Sequence, residues 1–190
     1  MKEIRVHGRG GQGVVLASEI FVGALIKEGK YAASFPFFGF ERRGAPIVAF
    51  VRFDERPIRQ KDQIYAPDCV VVMDSTLLKA VDVYQGLKPQ GILVLNGCRD
   101  IETLDLPPEV ERVGLVDATA ISLHTLKAFI PNTAMVGALS RTTGWVSLEA
   151  LRLSLKENLP SRARVQNLET LQRAYLETKV FRRGEHARWH

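Results

Sequence analysis

Six residues near the N-terminus, Gly8-Arg9-Gly10-Gly11-Gln12-Gly13, constrain this chain more than any other segment. An alternating run over residues 2–6, with Ile4 and Val6 set against charged neighbours, precedes them. A proline-free apolar stretch over residues 14–27 follows, interrupted mainly by Glu19, and Gly29 is placed to stop it. That order predicts a strand, a glycine loop from His7 to Gly13 and a helix buried on more than one face. Such a loop turns backbone N–H groups toward a helix N-terminus, where the helix dipole favours an anion. The same glycines equally serve a tight turn and a close strand–helix approach with no ligand.

The remainder of the chain repeats strand and helix. Strands are predicted over residues 31–34, 46–53, 68–73, 91–95 and 110–116. The run Asp68-Cys69-Val70-Val71-Val72-Met73 has the β-branched content of a buried parallel strand. Helices are predicted from Ser75 to about residue 84, over 119–129, from Asn132 as cap to 141 with Gly144 as stop, over 147–158 and over 162–178. The alternation predicts an α/β fold: a Rossmann-like, mainly parallel sheet flanked by helices, with a helical C-terminal section. A chain of 190 residues is long enough for one sizeable core. Residues 1–178 therefore read as one domain and 179–190 as a solvated basic tail.

Charge and cysteine content exclude several functions. The net charge of +5 is concentrated in the tail, which holds Lys179, Arg182, Arg183 and Arg188 against Glu185. The body is nearly balanced and offers no basic face for nucleic acid. Charged residues interrupt every apolar run before it reaches membrane-spanning length, and the N-terminus enters a strand pattern directly. These features predict a cytoplasmic protein without a membrane partner. Cys69 and Cys98 are isolated, so a zinc site or iron–sulfur cluster held by this chain alone is not expected.

Gly8-x-Gly10-x-x-Gly13 matches the spacing of the dinucleotide fingerprint. That fingerprint also needs a carboxylate at the end of the second strand, to hold the ribose hydroxyls. Here the region reads Ala32-Ala33-Ser34-Phe35, with Glu28 before it and Glu41 beyond it. The loop also lacks the Gly-Lys-Ser/Thr ending of a nucleoside-triphosphate loop. A free-standing nucleotide-binding oxidoreductase is thus the alternative reading. Arg9 and Gln12 can both aim donors into the loop mouth.

A loop is predicted over residues 35–44, which crowds Phe35, Phe37, Phe38 and Phe40 around Pro36 and Gly39 and continues Glu41-Arg42-Arg43-Gly44-Ala45-Pro46. So much aromatic area either caps the sheet's own edge or meets another chain. Arg42 and Arg43 suit a phosphate or carboxylate. Among single residues, His7 reads as a strand-end histidine, and His124 as a core or interface residue. Asp74 and Asp117 end strands and read as helix caps first. Asn132 and Thr133 open a helix, as caps first and ligand contacts second.

Three strings together resemble a known family: Gly8-Arg9-Gly10-Gly11-Gln12-Gly13, Phe38-Gly39-Phe40-Glu41-Arg42-Arg43-Gly44-Ala45-Pro46 and Pro131-Asn132-Thr133-Ala134-Met135. The chain is similar to the gamma subunit of 2-oxoacid:ferredoxin oxidoreductases, in the pyruvate or ketoisovalerate branch, from residue 2 to the last helix. It departs from the family at Phe40, where proline is common. The resemblance implies a non-catalytic but required subunit of an enzyme that oxidatively decarboxylates a 2-oxoacid to acyl-CoA and passes electrons to ferredoxin. It implies thiamine diphosphate, iron–sulfur clusters and coenzyme A in the assembled complex and no cofactor bound by this chain alone. It implies alpha, beta and delta subunits as partners, with ferredoxin reached through the complex; the isolated chain could also pair with itself. Under this reading Gly8, Arg9, Gly10, Gly11, Gln12, Gly13, Glu41, Arg42, Arg43, Gly44, Asn132 and Thr133 face the cofactor region. No catalytic or metal-binding residue is expected.

Overall fold

The computed structural model describes residues 1–37, 44–97 and 100–185. Its seven strands are β1 (Lys2–Arg9), β2 (Tyr31–Phe37), β3 (Pro46–Asp54), β4 (Cys69–Val72), β5 (Gly91–Asn96), β6 (Val110–Val116) and β7 (Lys179–Arg182). They form one sheet in the order β2-β3-β1-β4-β5-β6-β7. The central strands β1, β4, β5 and β6 run parallel. Antiparallel strands complete the sheet on both flanks, β3 and β2 on one side and β7 on the other. β4 and β5 are buried along their whole length, as their apolar runs require, and the buried Asn96 that ends β5 donates to the Met73 carbonyl at 2.8 Å.

The helices are α1 (Val14–Lys27), α2 (Ala118–Leu126), α3 (Asn132–Thr143), α4 (Leu148–Asn158) and α5 (Ser161–Glu177). All five contribute to one core over a single face of the sheet, where Phe21, Ile121, Met135, Leu151 and Leu171 meet Ile4, Val6, Val51, Val71 and Val94. α3 is buried nearly all round, and its small residues let neighbours approach. A Cβ on Gly137 would stand 2.5 Å from the Leu171 carbonyl oxygen of α5. The opposite face carries a second core, in which Val70, Val72, Leu93, Leu95, Val113 and Leu115 are covered by Leu77, Val83, Leu87 and Ile101. Among the described residues the cover there is made of 3-10 turns and irregular chain rather than α-helix.

The helix expected over residues 75–84 is a 3-10 turn, Ser75–Lys79, capped by Asp74 rather than Ser75. Beyond it the Asp82 carboxylate accepts from the Tyr84 N–H at 3.1 Å, a local turn that competes with helix. β1 runs on to Arg9, three residues past the expected end, because Gly8 and Arg9 pair with Ile47 and Pro46 of β3. α2 stops at Leu126, where Lys127 adopts a left-handed conformation with φ 54°. Residues 179–182 are a sheet strand rather than the start of a solvated tail. Phe181 packs on the second core, the Arg183 N–H donates to the Glu111 carbonyl at 2.9 Å, and the Arg183 guanidinium donates to the carbonyls of Val110 and Pro107. Phe35 to Phe37 continue β2 rather than opening a loop, because β3 offers them Phe50, Ala49 and Val48 as partners; the expectations for Phe38, Phe40, Glu41, Arg42, Arg43, Cys98 and Arg188 lie outside the described residues. No helix among the described residues is long and apolar enough to cross a membrane.

Candidate functional site

β1 and β4 are neighbours whose continuations diverge: β1 leads through α1 to β2 on one flank, and β4 leads to β5 on the other. A crevice outside the carboxyl ends of two such strands is where open α/β sheets bind ligands. The glycine segment leaves β1 at this point and Asp74 leaves β4 beside it.

The first part of the segment is locked into the fold. Arg9 donates from Nε to Asp74 Oδ2 at 3.1 Å, from Nη1 to the Gly44 carbonyl at 3.0 Å and from Nη2 to Thr76 Oγ1 at 2.8 Å. Gln12 accepts from the Arg9 N–H at 2.8 Å and donates to Asp74 Oδ2 at 3.3 Å. Asp74 in turn accepts from the Thr76 N–H at 2.9 Å and the Thr76 hydroxyl at 2.6 Å. Partial burial opposes ionisation of Asp74, but the Thr76 bonds, the Arg9 charge and the Gln12 amide outweigh it and hold the carboxyl below its usual value. Gly10 exchanges main-chain bonds with the far side of the turn, donating to Ala45 at 2.9 Å and accepting from Gly44 at 3.1 Å. Gly8 admits α1 to the strand, because a Cβ there would fall on the Val14 side chain. Arg9 and Gln12, expected to aim donors into the loop mouth, are thus turned onto Asp74, Thr76 and Gly44.

The second part stays open. Gly11 and Gly13 have φ of 95° and 77°, the left-handed region that favours glycine. Gly13 is the N-cap of α1 and brings no side-chain cap, so the first-turn N–H groups of the helix have no acceptor among the described residues. No described residue accepts from the N–H of Gly11 or Gly13.

Asn132 closes on this turn from the start of α3. A Cβ on Gly13 would land on Asn132 Nδ2, so the glycine is what admits the amide. Asn132 is only 5% exposed, and its Oδ1 accepts from the Thr133 N–H at 2.7 Å, which leaves Nδ2 on the Gly13 side. Thr133 is fixed in turn, donating from its hydroxyl to Asn167 Oδ1 at 2.7 Å, while Asn167 Nδ2 holds the Ala163 carbonyl at 2.8 Å. Asn132 is the first residue of α3 rather than its cap, a position taken by Pro131. The fold therefore unites Gly11, Gly13, Asn132 and Thr133, while Gly8, Arg9, Gly10, Gln12 and Gly44 form the latch beside them.

A groove of ≈ 600 Å³ opens over Gly11, Gly13 and Asn132, walled by Leu16, Lys127 and Asn167. Among the described residues its lining offers amide and main-chain donors, one cation and apolar wall, and no carboxylate. That chemistry suits an anion attached to an apolar body. Among the described residues that line the groove there is no carboxylate or imidazole to transfer a proton. His7 lies in β1 opposite Val48 and Val72, its Nε2 is buried without a hydrogen-bond partner, and burial followed by the Arg5 charge pushes its pKa down to about 4. Burial, then the Asp68 charge, pushes the Cys69 thiol up. Asp117 caps α2, accepting from the Ala120 N–H at 2.8 Å, and His124 is exposed on that helix rather than in the core. The described residues contain no group of three metal-ligating side chains. Asn167, Thr76 and Lys127 were not singled out from the sequence. An asparagine in mid-helix was the available signal for Asn167, since that residue type disfavours helix interiors.

The protein-family profile described as Pyruvate ferredoxin/flavodoxin oxidoreductase matches residues 3–177. The chain is 49% identical over 181 residues to the NADH-dependent phenylglyoxylate dehydrogenase subunit gamma of Aromatoleum evansii, covering 95% of each. It is 46% identical over 183 residues to the pyruvate/ketoisovalerate oxidoreductases common subunit gamma of Pyrococcus abyssi, covering 95% of this chain and 99% of that one. The crystal structure of pyruvate oxidoreductase subunit PORC from Thermotoga maritima matches with a TM-score of 0.81 at 39% identity, covering 94% of this chain and 97% of that one.

Proposed function

The chain belongs to the pyruvate ferredoxin/flavodoxin oxidoreductase family and is a gamma-type subunit of a multi-subunit 2-oxoacid oxidoreductase of the pyruvate type, and from this premise we infer what its groove is for. The reading is that the Gly11–Gly13 turn, the uncapped start of α1 and Asn132 receive a phosphate of coenzyme A as the assembled enzyme converts a 2-oxoacid to acyl-CoA. The observation that carries it is the Asn132 amide, buried yet held open against a helix N-terminus that lacks a cap. Donors there are fixed before any ligand arrives, so little reorganisation is needed on binding.

Alpha, beta and delta subunits are proposed as the partners. Thiamine diphosphate and iron–sulfur clusters, which supply the decarboxylation and electron-transfer chemistry, are assigned to them. Ferredoxin is reached through the complex. A cytoplasmic location is proposed with it. Arg42 and Arg43, with Glu41, are proposed as further contacts near the same cofactor. A free-standing nucleotide-binding oxidoreductase is disfavoured, since Ala32 to Phe35 pair with β3 and supply no carboxylate for a ribose.

The names of the relatives bear on substrate choice. Subunits of enzymes named for phenylglyoxylate and for pyruvate and ketoisovalerate are nearly equally similar to this chain, at 49% and 46% identity. A subunit so alike across different oxoacids is a poor place to read the oxoacid side chain, so that choice is assigned to the partners. Replacing Asn132 with leucine in the reconstituted enzyme should raise KM for coenzyme A about tenfold while leaving KM for the oxoacid unchanged, the cost of one charge-assisted hydrogen bond. An unchanged KM for coenzyme A in an assembled Asn132→Leu enzyme contradicts the groove assignment. Arg42→Ala with Arg43→Ala should weaken assembly or raise the same constant, and wild-type behaviour of that double variant removes the arginines from the site.

A further inference from the structure

The two outer strands of the sheet are built differently. β7 has four residues and ends in charge, with Lys179 and Arg182 both exposed, which is how proteins blunt an edge. β2 has seven residues, Tyr31 to Phe37, and no charge at all.

The direction of the main-chain groups of β2 follows from its neighbours. The Asp68 N–H donates to the Glu3 carbonyl and the Met73 N–H to the His7 carbonyl, so odd residues of β1 face β4 and even ones face β3. Carried through the β1–β3 and β3–β2 registers, this turns Tyr31, Ala33, Phe35 and Phe37 toward β3 and leaves Ala32, Ser34 and Pro36 facing outward. Pro36 thus lacks its N–H on the side where β3 does not need it. Among the described residues nothing pairs with this edge, which offers the N–H and C=O of Ala32 and Ser34 and the C=O of Pro36.

We propose that this edge pairs with β2 of a second copy of the chain, antiparallel, about a twofold axis at Ser34. In that register the two Ser34 residues exchange both main-chain bonds, and each Ala32 N–H donates to the Pro36 carbonyl of the second copy. The missing Pro36 N–H leaves only the Ala32 carbonyl unmet. No charges meet, whereas β7 paired with itself would set Lys179 against Arg182. The same register places Tyr31, 50% exposed, opposite Phe37 of the second copy, 48% exposed. Two cross-strand aromatic pairs result. They lie on the face opposite the α-helices, where Phe37 already packs on Phe50 with ring centroids 6.2 Å apart. The pairing stands on the edge geometry and is independent of the coenzyme A reading.

Sedimentation of the full chain at micromolar concentration tests it. The wild type is expected at twice the chain mass, with amide exchange at Ala32 and Ser34 slowing as concentration rises. Ser34→Pro removes the central donor without touching a bond to β3, and should halve the mass. Phe37→Lys should do the same, and adding Tyr31→Glu should restore the dimer, because those two positions meet only in this register. A monomeric wild type, a dimer that survives Ser34→Pro or Phe37→Lys, or a Tyr31→Glu, Phe37→Lys chain that stays monomeric overturns the proposal. If Ser34→Pro does not fold, concentration-independent exchange at Ala32 and Ser34 in the wild type overturns it equally.

Discussion

From His7 to Gly10 the glycine segment is built into the sheet, whereas from Gly11 to Gly13 it stands open beside Asn132. In the first part every turn serves the protein: Gly8 admits Val14, Gly10 bonds to residues 44 and 45, and Arg9 is spent on Asp74, Thr76 and Gly44. In the second part the left-handed glycines and the bare helix start leave donors that no described residue uses. Adjacent glycines with one spacing thus answer to two physical demands, close packing and anion reception. A fingerprint that counts glycines cannot separate them.

The largest difference is expected at Gly13. Gly13→Ala forces a side chain into a left-handed position and onto the Asn132 amide, at a cost of about 2–5 kcal/mol in stability. The assembled enzyme should also lose coenzyme A affinity, read as KM. Chemical denaturation of the isolated chain and kinetics of the complex check the two parts, and a variant that keeps both would erase the distinction between the halves.

His7 probes the built-in half through pH. Its folded-state pKa of about 4 lies below the ordinary 6.5, so the native chain binds fewer protons than the unfolded one between those values. Stability is therefore full above about pH 6.5 and falls as pH drops toward about 4, by up to about 3 kcal/mol. His7→Leu should flatten that part of the stability–pH curve. An equally steep curve in the variant would show that His7 is not the group responsible.

Gly8→Ala should destabilise the fold by about 1–3 kcal/mol through overpacking against Val14, with KM for coenzyme A unchanged in the enzyme that assembles. A raised KM at Gly8 would extend the binding region into the sheet. The smallest effect is expected for Asp74→Asn, about 1 kcal/mol, because the Arg9 pair is partly exposed. The depressed carboxyl makes the wild-type latch contribute above the ordinary carboxylate range and lose that contribution as pH falls through its lowered pKa. Thermal melts of wild type and Asp74→Asn should therefore converge in acid.

Much of the fold was legible because periodicity and breakers agree. The apolar runs of β4 and β5, the long α1 and the α4–α5 pair were readable from pattern alone. Where tertiary pairing decided the outcome, local pattern fell short. β1 extends over glycines because β3 offers it partners, and β7 forms from a basic sequence because β6 needs an outer neighbour and Phe181 finds the second core. The helix after Asp74 shrank to one turn because Asp74 and Asp82 both bond the chain locally. At the site, the types and positions of Gly11, Gly13 and Asn132 were readable, but their meeting was not. It depends on α3 crossing behind the start of α1. The Arg9–Asp74 bond was likewise invisible, since nothing in sequence joins the ends of β1 and β4.

Residue-resolved amide exchange of the reconstituted enzyme, with and without saturating coenzyme A, separates the halves in one experiment. Slower exchange at Gly11, Gly13 and the first-turn residues Val14, Val15 and Leu16, with Gly8 and Gly10 unchanged, is the predicted result. Unaltered exchange across Gly11 to Leu16 in an enzyme that turns over coenzyme A would contradict the assignment of the open turn as its phosphate site.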